Sequence, residues 1–431
     1  MSATEPLPGT SDLWEPEVLD WIILENTARD IFHRYGYSEV RTPIIERTDV
    51  FVHNLGETTD VVQKEMYTFQ DRGGRSLTLR PEGTAGTIRA IANHGMNQGD
   101  ELRAFYFGPM FRGERPAAGR RRQFHQVGVE AVGADTPWMD AEVIAMLMHY
   151  LEAVGVPHGR LLLNSRGLPL DRPVVNQALT DYFTPHIGDM CEDCRRRVST
   201  NVSRILDCKN EACQKTIAGA PCITDLFCSE SKEYFAKVCQ ALDKLGIPYE
   251  VAPRLVRGLD YYIHTVFEVE VSIPATEGQD AVTFAVAGGG RYQLVPPGSN
   301  KPIEGIGFAA GMERLLMARA ASGLSAAVRS EADIMVAALG ENAVPAGLKL
   351  AQELRDALGT LRVKADFSSR SLKAQMRTAN RLGAKTVLIL GDNEIANATV
   401  VCRDMSDSSQ TEIPMAELVA TLQSRLSASG N

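Results

Sequence analysis

The chain has 431 residues, too many for one ordinary core and enough for about two to four domains of roughly 100–200 residues each. Hydrophobic residues at 44% and charged residues at 23% exclude a disordered or fibrous chain, and no uncharged apolar run reaches the roughly 18–20 residues that span a bilayer. A formal net charge of −9 excludes nucleic-acid binding by overall field and confines any such binding to local basic patches.

The N-terminal MSATEPLPGTSDLWEPE has Glu5 and two early prolines where a signal peptide would be basic and then apolar, so a soluble, cytoplasmic protein is expected. Trp14-Glu15-Pro16-Glu17 reads as a helix start, with proline and acids in the first turn, and Leu19, Ile22, Ile23, Ile31 and Phe32 give its apolar side. YSEVRTPIIE (37–46) follows as a strand cut at Pro43, which cannot donate to a central ladder. A helix is expected from Pro81-Glu82 to about Gly95. LRAFYFGPMFR (102–112) and FHQVGVEAVG (124–133) read as two strands joined by an arginine-rich turn. A helix over 137–154 and a strand over 160–163 complete a first block.

From 168 to 245 periodicity weakens, cysteines cluster and short helices are expected, so this stretch reads as an insertion. Strand signals return in TVFEVEV (265–271) and VTFAVAGGGR (282–291), with a loop near 274–280, before GIGFAAGMERLLMARAA turns from strand into helix. From Asp333 onward IMVAAL, a helix over 344–358, LRVKADF, a helix over 372–382 and TVLILG alternate as β-α-β-α-β. That order predicts a separate α/β domain over 330–431 with a parallel-leaning sheet.

Four segments could carry chemistry. FRGERPAAGRRRQFHQVGVE (111–130) sets Arg112, Arg115, Arg120, Arg121 and Arg122 against Glu114 and Glu130, and guanidinium forks suit phosphate oxygens; a solvated basic hairpin explains the charges as well. Gly288-Gly289-Gly290-Arg291-Tyr292 reads either as a turn ending an apolar strand or as backbone that lets a ligand approach closely. Gly305, Gly307 and Gly311 precede Arg314, leaving room for a flat ligand with a cation beside it; close helix–sheet packing explains the glycines equally well, but not the arginine. RGLDYYIHTVFE (257–268) puts Arg257, Asp260, Tyr261, Tyr262, His264 and Glu268 on one short stretch, more polar groups than a core strand needs, although a Tyr-Tyr pair alone is more often packing than recognition. Six of the eight cysteines fall between Cys191 and Cys228. Cys191-x₂-Cys194 and Cys208-x₄-Cys213 have the spacing of a four-thiolate zinc site, with Cys222 and Cys228 as spare candidates; reduced thiols buried in a helical insertion are the alternative.

Taken in order, these segments resemble the class II aminoacyl-tRNA synthetases, specifically the histidyl-tRNA synthetase family. YSEVRTPIIE resembles motif 1, FRGERPAAGRRRQFHQVGVE motif 2 and GIGFAAGMERLLM motif 3, while LRPEGTAG (79–86) and LVRGLDYYIHTVFE (255–268) are similar to signatures of the histidine enzymes. The resemblance implies an α/β protein: a catalytic domain over 1–325 on an antiparallel, six-stranded type of sheet with flanking helices, the 168–245 insertion, and an anticodon-binding domain over 330–431. It implies a homodimeric ligase that joins L-histidine to ATP as histidyl-adenylate, with Mg²⁺, and passes histidine to the 3′ end of tRNA(His), away from any membrane. ATP would be held by Arg112, Glu114, Phe124 and Arg314. Histidine would be held by Glu82, Thr84, Gln126, Glu130, Arg257, Tyr261, Tyr262 and Tyr292. Arg112 and Arg257 would serve catalysis by flanking the α-phosphate. Two positions depart from the family's usual pattern: Gln293 follows GGGRY in place of Asp, and Ala117 stands where the motif 2 loop often has glutamine. The rival reading is a catalytically silent paralogue that senses histidine as a regulatory subunit.

Overall fold

The computed structural model describes the whole chain except residues 1–3, 57–58, 60, 95–99, 115–120, 157, 260, 276–280, 297–298, 300, 326–329, 360, 369 and 429–431. Arg115, Ala117, Arg120, Asp260 and the centre of the expected 274–280 loop therefore lie outside the described residues. The chain divides into two compact units, residues 1–326 and 327–431.

In the first unit, helix α1 (Glu17–Arg34) leads to strands β1 (Ser38–Glu39) and β2 (Ile45–Arg47), helix α2 (Thr48–Leu55), strands β3 (Thr68–Gln70) and β4 (Ser76–Leu79), and helix α3 (Thr84–Asn93). Strands β5 (Leu102–Phe111) and β6 (Gln123–Val132), helix α4 (Pro137–Ala153) and strand β7 (Arg160–Ser165) follow. Helices α5 (Arg172–Phe183), α6 (Glu192–Thr200), α7 (Glu211–Ala218) and α8 (Ser229–Leu245) come next. The unit closes with β8 (Glu250–Val251), β9 (Tyr262–Ile273), β10 (Val282–Leu294), β11 (Ile303–Gly311) and α9 (Met312–Ala321). The main sheet runs β1-β5-β6-β11-β10-β9-β7-β8. Its six inner strands are antiparallel to their neighbours, and only the two-residue edges β1 and β8 pair in parallel.

The period of two along a strand assigns each side chain to a face. On β6, Val127, Val129 and Ala131 enter a core closed by α1, α4, α8 and α9, and Phe124, Gln126 and Glu130 take the other face. The motif 1 segment is broken rather than continuous. β1 ends at Glu39 and β2 begins at Ile45 in a separate small sheet with β4 and β3, because Pro43 interrupts the ladder between them. Helix α3 starts at Thr84, two residues later than expected. Glu82 precedes it and caps it, accepting the Thr84 and Ala85 amides at 2.6 and 2.9 Å.

The GGGR segment is not a turn at a strand end. It lies mid-strand in β10, paired with β9 on one side and β11 on the other. The glycines are explained by close approach: a Cβ at Gly288 would lie 2.5 Å from Arg257 Nη1, and one at Gly290 2.5 Å from the Thr265 carbonyl. Within 168–245 the separate small core runs from Val175 to Phe227 with Val256, whereas Val238, Ala241 and Leu242 of α8 belong to the main core against α4.

The second unit contains β12 (Ile334–Ala338), α10 (Ala343–Ala357), β13 (Val363–Asp366), α11 (Leu372–Arg381), β14 (Thr386–Leu390), α12 (Asp392–Ala396), β15 (Thr399–Asp404), β16 (Gln410–Pro414) and α13 (Met415–Ala428). Its sheet, β13-β12-β14-β15-β16, is parallel through the first three strands and antiparallel in the last two, which the alternating reading did not include. Ile334 and Val336 face a core with α10 and α13, and Met335 and Ala337 face one with α11. Among the described residues no helix is long and apolar enough to cross a membrane.

Candidate active site

Strands β6, β9, β10 and β11 carry the site on the sheet face opposite the main core. Two spaces open there. A cleft of about 580 Å³ is lined by Arg112, Glu114, Phe124, Arg257, Glu268 and Arg314, among others. A smaller chamber of about 80 Å³ is lined by Glu82, Thr84, Gln126, Glu130, Tyr261, Tyr262 and Tyr292, with Arg257. Arg112, Gln126, Arg257, Gly288 and Ala309 line both, so the two spaces share a wall. The structure thus brings the twelve residues that the resemblance names into two adjoining spaces, six of them lining the cleft and nine the chamber, with Arg112, Gln126 and Arg257 lining both.

The chamber is acidic, aromatic and buried. Glu82, Glu130, Tyr261, Tyr262 and Tyr292 are all buried. Burial pushes the Glu82 carboxyl up, opposed by the amides it caps. Burial also raises Glu130 to about 8; the Thr84, Tyr292 and Tyr106 hydroxyls pull the other way, and the Glu82 charge adds to the rise. Glu130 Oε2, Gln126 Oε1 and the Tyr292 hydroxyl have no hydrogen-bond partner of good geometry, though Tyr106 donates to Glu130 Oε1 at 3.5 Å. Unpartnered buried acceptors beside two acids favour a small cationic donor. Gly307 makes the room, since a Cβ there would collide with Glu130 Oε2 and the Val129 carbonyl.

The cleft is lined by guanidiniums, each held in place. Arg257 Nη1 meets Glu268 Oε2 at 2.5 Å. Arg112 donates to the Pro81 carbonyl at 2.9 Å and lies over the Phe124 ring, 5.2 Å from its centre. Arg314 donates to the Ala285 carbonyl at 2.7 Å from the first turn of α9. Sequence reasoning missed Glu313, whose carboxylate accepts the His125 amide at 3.0 Å and meets His125 Nδ1 at 3.1 Å, tying α9 to β6. Its place beside Arg314 was the available signal. It also missed the wall supplied by Leu206, Asp207, Lys209 and Gln214, far away in sequence. Gln293 points away from the chamber and donates to Glu304 at 2.6 Å across the strand pair, leaving Tyr292 on the opposite face. Beneath the site, the fully buried Arg291 pairs with Asp140 at 2.5 Å.

The four cysteines with zinc-like spacing also converge: their sulfurs all lie within 4.8 Å of one another. Cys222 and Cys228 stand apart, bonded to Thr224 and Ser231.

Comparison with known proteins agrees with this geometry. Residues 9–171 match the family described as histidyl-tRNA synthetase, and residues 333–425 match the anticodon binding domain. A histidine–tRNA ligase of Geobacillus sp. (strain WCH70) is 48% identical over 422 residues, 97% of this chain and 98% of the relative. The chain belongs to the histidyl-tRNA synthetase family. The crystal structure of apo Staphylococcus aureus histidyl-tRNA synthetase superposes with a TM-score of 0.77 at 37% identity, covering 96% of this chain and 98% of that one. An ATP phosphoribosyltransferase regulatory subunit/histidyl-tRNA synthetase from Bacillus halodurans C shares the fold, at a TM-score of 0.62 and 18% identity over 90% of this chain and 98% of that one. Membership of the synthetase family makes this protein an aminoacyl-tRNA ligase with ATP as a substrate.

Proposed function

We propose that the chain activates L-histidine with ATP and transfers the histidyl group to tRNA(His). The observation that carries this reading is the wall shared by an acidic chamber and an arginine-lined cleft, a cation site opening onto an anion site. In the chamber Glu82, Thr84, Gln126, Glu130 and Tyr292 receive the ammonium, and Tyr261 and Tyr262 border the imidazole. In the cleft Phe124 and Glu114 receive adenine and Arg314 the γ-phosphate end. The histidine carboxylate attacks the α-phosphorus, its oxygen forms the new P–O bond, and pyrophosphate leaves. Arg112 and Arg257 flank that phosphate and stabilise its growing charge. No protein base is needed, because the nucleophile is already an anion; positioning and electrostatics provide the rate. The 3′ ribose hydroxyl of tRNA then attacks the carbonyl carbon, and AMP leaves.

Mg²⁺ travels with the nucleotide in this reading. The cleft carboxylates Glu114, Glu268, Glu270 and Glu313 are the hard oxygen donors that such an ion takes. A zinc ion suits the four gathered thiols. The homodimer is supported by Ile22, Ile23, Ile44 and Ile45, which expose apolar surface on α1 and the motif 1 segment. A cytoplasmic location follows from the same reading. For tRNA, α11 offers Lys373, Arg377 and Arg381, exposed at helical spacing on one stripe. Arg362, Lys364 and Arg370 are partly committed to Asp333, Glu331 and Asp366. The silent-regulator reading is not favoured, because the arginine set stands in the cleft and an anticodon-type domain follows.

ATP–pyrophosphate exchange with each standard amino acid tests the proposal. Exchange with histidine alone is expected, and exchange with none would return the protein to the regulatory class.

A further inference from the structure

We infer that Cys191, Cys194, Cys208 and Cys213 form a four-thiolate zinc centre whose role is to brace one wall of the catalytic cleft. The proposal rests on the synthetase reading only for what the cleft does.

The sulfur geometry argues for one metal ion. Four sulfurs placed tetrahedrally at a zinc–sulfur distance of about 2.3 Å stand roughly 3.8 Å apart. Cys191 Sγ and Cys208 Sγ are 3.7 Å apart, and all four sulfurs fall within 4.8 Å. That is too far for a disulfide, whose sulfurs sit about 2.05 Å apart. It is also tighter than the span of an iron–sulfur cluster, which inserts several atoms between its ligands. Backbone amides already point at the sulfurs: Cys191 N–H donates to Cys213 Sγ at 3.2 Å and Asn210 N–H to Cys208 Sγ at 3.5 Å, the outer bonds that steady thiolate ligands. Cys191 and Cys208 border a surface hollow with Asp193, Asp207 and Lys209, which gives an ion a way in. Cys194, Cys208 and Cys213 belong to the module's own small core, so a metal held by them ties directly into its packing.

That module is built into the cleft. Cys208 sits between Asp207 and Lys209, and Cys213 beside Gln214, all three of which line the cleft with Leu206. On its other side the module grips the segment that carries Arg257. Val256 packs into the cysteine-containing core, Arg254 donates to the Ala218 carbonyl, and Gly258 abuts Arg204, whose Nη1 lies 2.6 Å from where a Cβ would stand. Arg257 is thus flanked on both sides by residues anchored to the thiolate module. Freeing the module would loosen the guanidinium, and misplacing a catalytic group by about 1 Å costs on the order of 100-fold in rate.

Elemental analysis of the full chain, made in reducing buffer, should find about one zinc per chain and no iron. Replacing zinc by cobalt should give the intense visible bands of a tetrahedral thiolate site. Cys208→Ser should lose both signals, and Cys222→Ser and Cys228→Ser should keep them. Stripping the metal with a mercurial and a chelator should slow histidine-dependent exchange on the order of 10- to 100-fold in kcat. KM for histidine should change little, and added zinc should restore the rate. Hydrogen exchange reads the wall without turnover: amides 206–214 and 252–258 should lose protection on stripping, and those of β6 and β10 should keep theirs. Absence of zinc together with failure to take up zinc or cobalt would overturn the centre. Zinc binding with unchanged protection and an unchanged exchange rate after stripping would overturn the bracing role. A chain that binds zinc, loosens at 252–258 when stripped and yet activates no amino acid would uphold this inference and sink the synthetase reading.

Discussion

The chamber and the cleft share five residues and differ in almost everything else. In the chamber charge is buried: two carboxyls are raised by desolvation, tyrosines close the walls, and acceptors are left unpartnered. In the cleft the guanidiniums keep their charge whatever the pH, and each is fixed by an acid, a carbonyl or an aromatic ring. In the proposed reaction one space selects by desolvation and fit, so a ligand that does not replace the missing donors leaves buried acceptors unsatisfied. The other would stabilise charge that grows as the α-phosphate is attacked. Recognition and rate enhancement are therefore separable, and Arg257 stands on the boundary.

The largest expected effect tests that boundary. Arg257→Ala removes one fixed donor from the α-phosphate, which typically costs roughly 3–4 kcal/mol or two to three powers of ten. Histidine-dependent exchange should slow at least ~100-fold with little change in histidine affinity. Near wild-type exchange with poor histidine binding would move Arg257 to the chamber's side of the division.

Glu130→Gln probes the opposite side. With the carboxyl held at about 8, ligand-free Glu130 carries a proton near neutral pH, and an ammonium ligand must expel it. KM for histidine should therefore fall as pH rises toward 8. In the glutamine variant KM should be higher by about 10- to 100-fold, the worth of a charged hydrogen bond, and that pH dependence should vanish. Ligand-free stability runs the other way. A carboxyl raised above its unfolded value contributes stability that is complete below the ordinary carboxylate range and is lost as pH rises through about 8. A pH-independent KM in the wild type would show that Glu130 does not meet the ammonium.

Gly307→Ala asks whether the chamber's size is essential. The added methyl meets Glu130 and backbone, an overpacking that costs about 1–3 kcal/mol by chemical denaturation and should block histidine while leaving ATP binding near normal. Unchanged exchange would show that the chamber adapts. The smallest effect on activation is expected from Lys373, Arg377 and Arg381 changed together to Ala. Exchange should be unaltered, tRNA charging weakened, and the salt dependence of tRNA binding made shallower by up to about three phosphate contacts. Equal charging at every salt concentration would remove α11 from the tRNA surface.

Residues that act from a strand were the most legible. Phe124, Gln126 and Glu130 alternate along β6, so a motif quoted in sequence already states which groups share a face. The glycines of β10 left a turn and a close approach equally open for a physical reason. Glycine signals a turn in a single chain, and only the opposing Arg257 and Thr265 reveal that it here signals crowding. Strands β15 and β16 lie at or near an edge, with too few apolar positions to announce themselves. The wall of Leu206 and Gln214 could not be read at all, because weak periodicity and remote sequence position leave no local trace of a tertiary contact. The cysteine spacing was legible because four sulfurs at x₂ and x₄ separations can meet with little backbone freedom.

Strand β10 also guards against its own misalignment. Tyr292 reaches the chamber from one side of the ribbon, and its neighbour Arg291 is locked to Asp140 on the other. Sliding the ribbon by a single position would exchange the two. A guanidinium would then stand where an ammonium is to bind, repelling the substrate, while Asp140 would be stranded without its counter-ion. Such a slipped molecule loses a buried pair and its ligand together. The ion pair thus works as a proofreading key for assembly: only the alignment that satisfies Asp140 produces a chamber able to hold a cation.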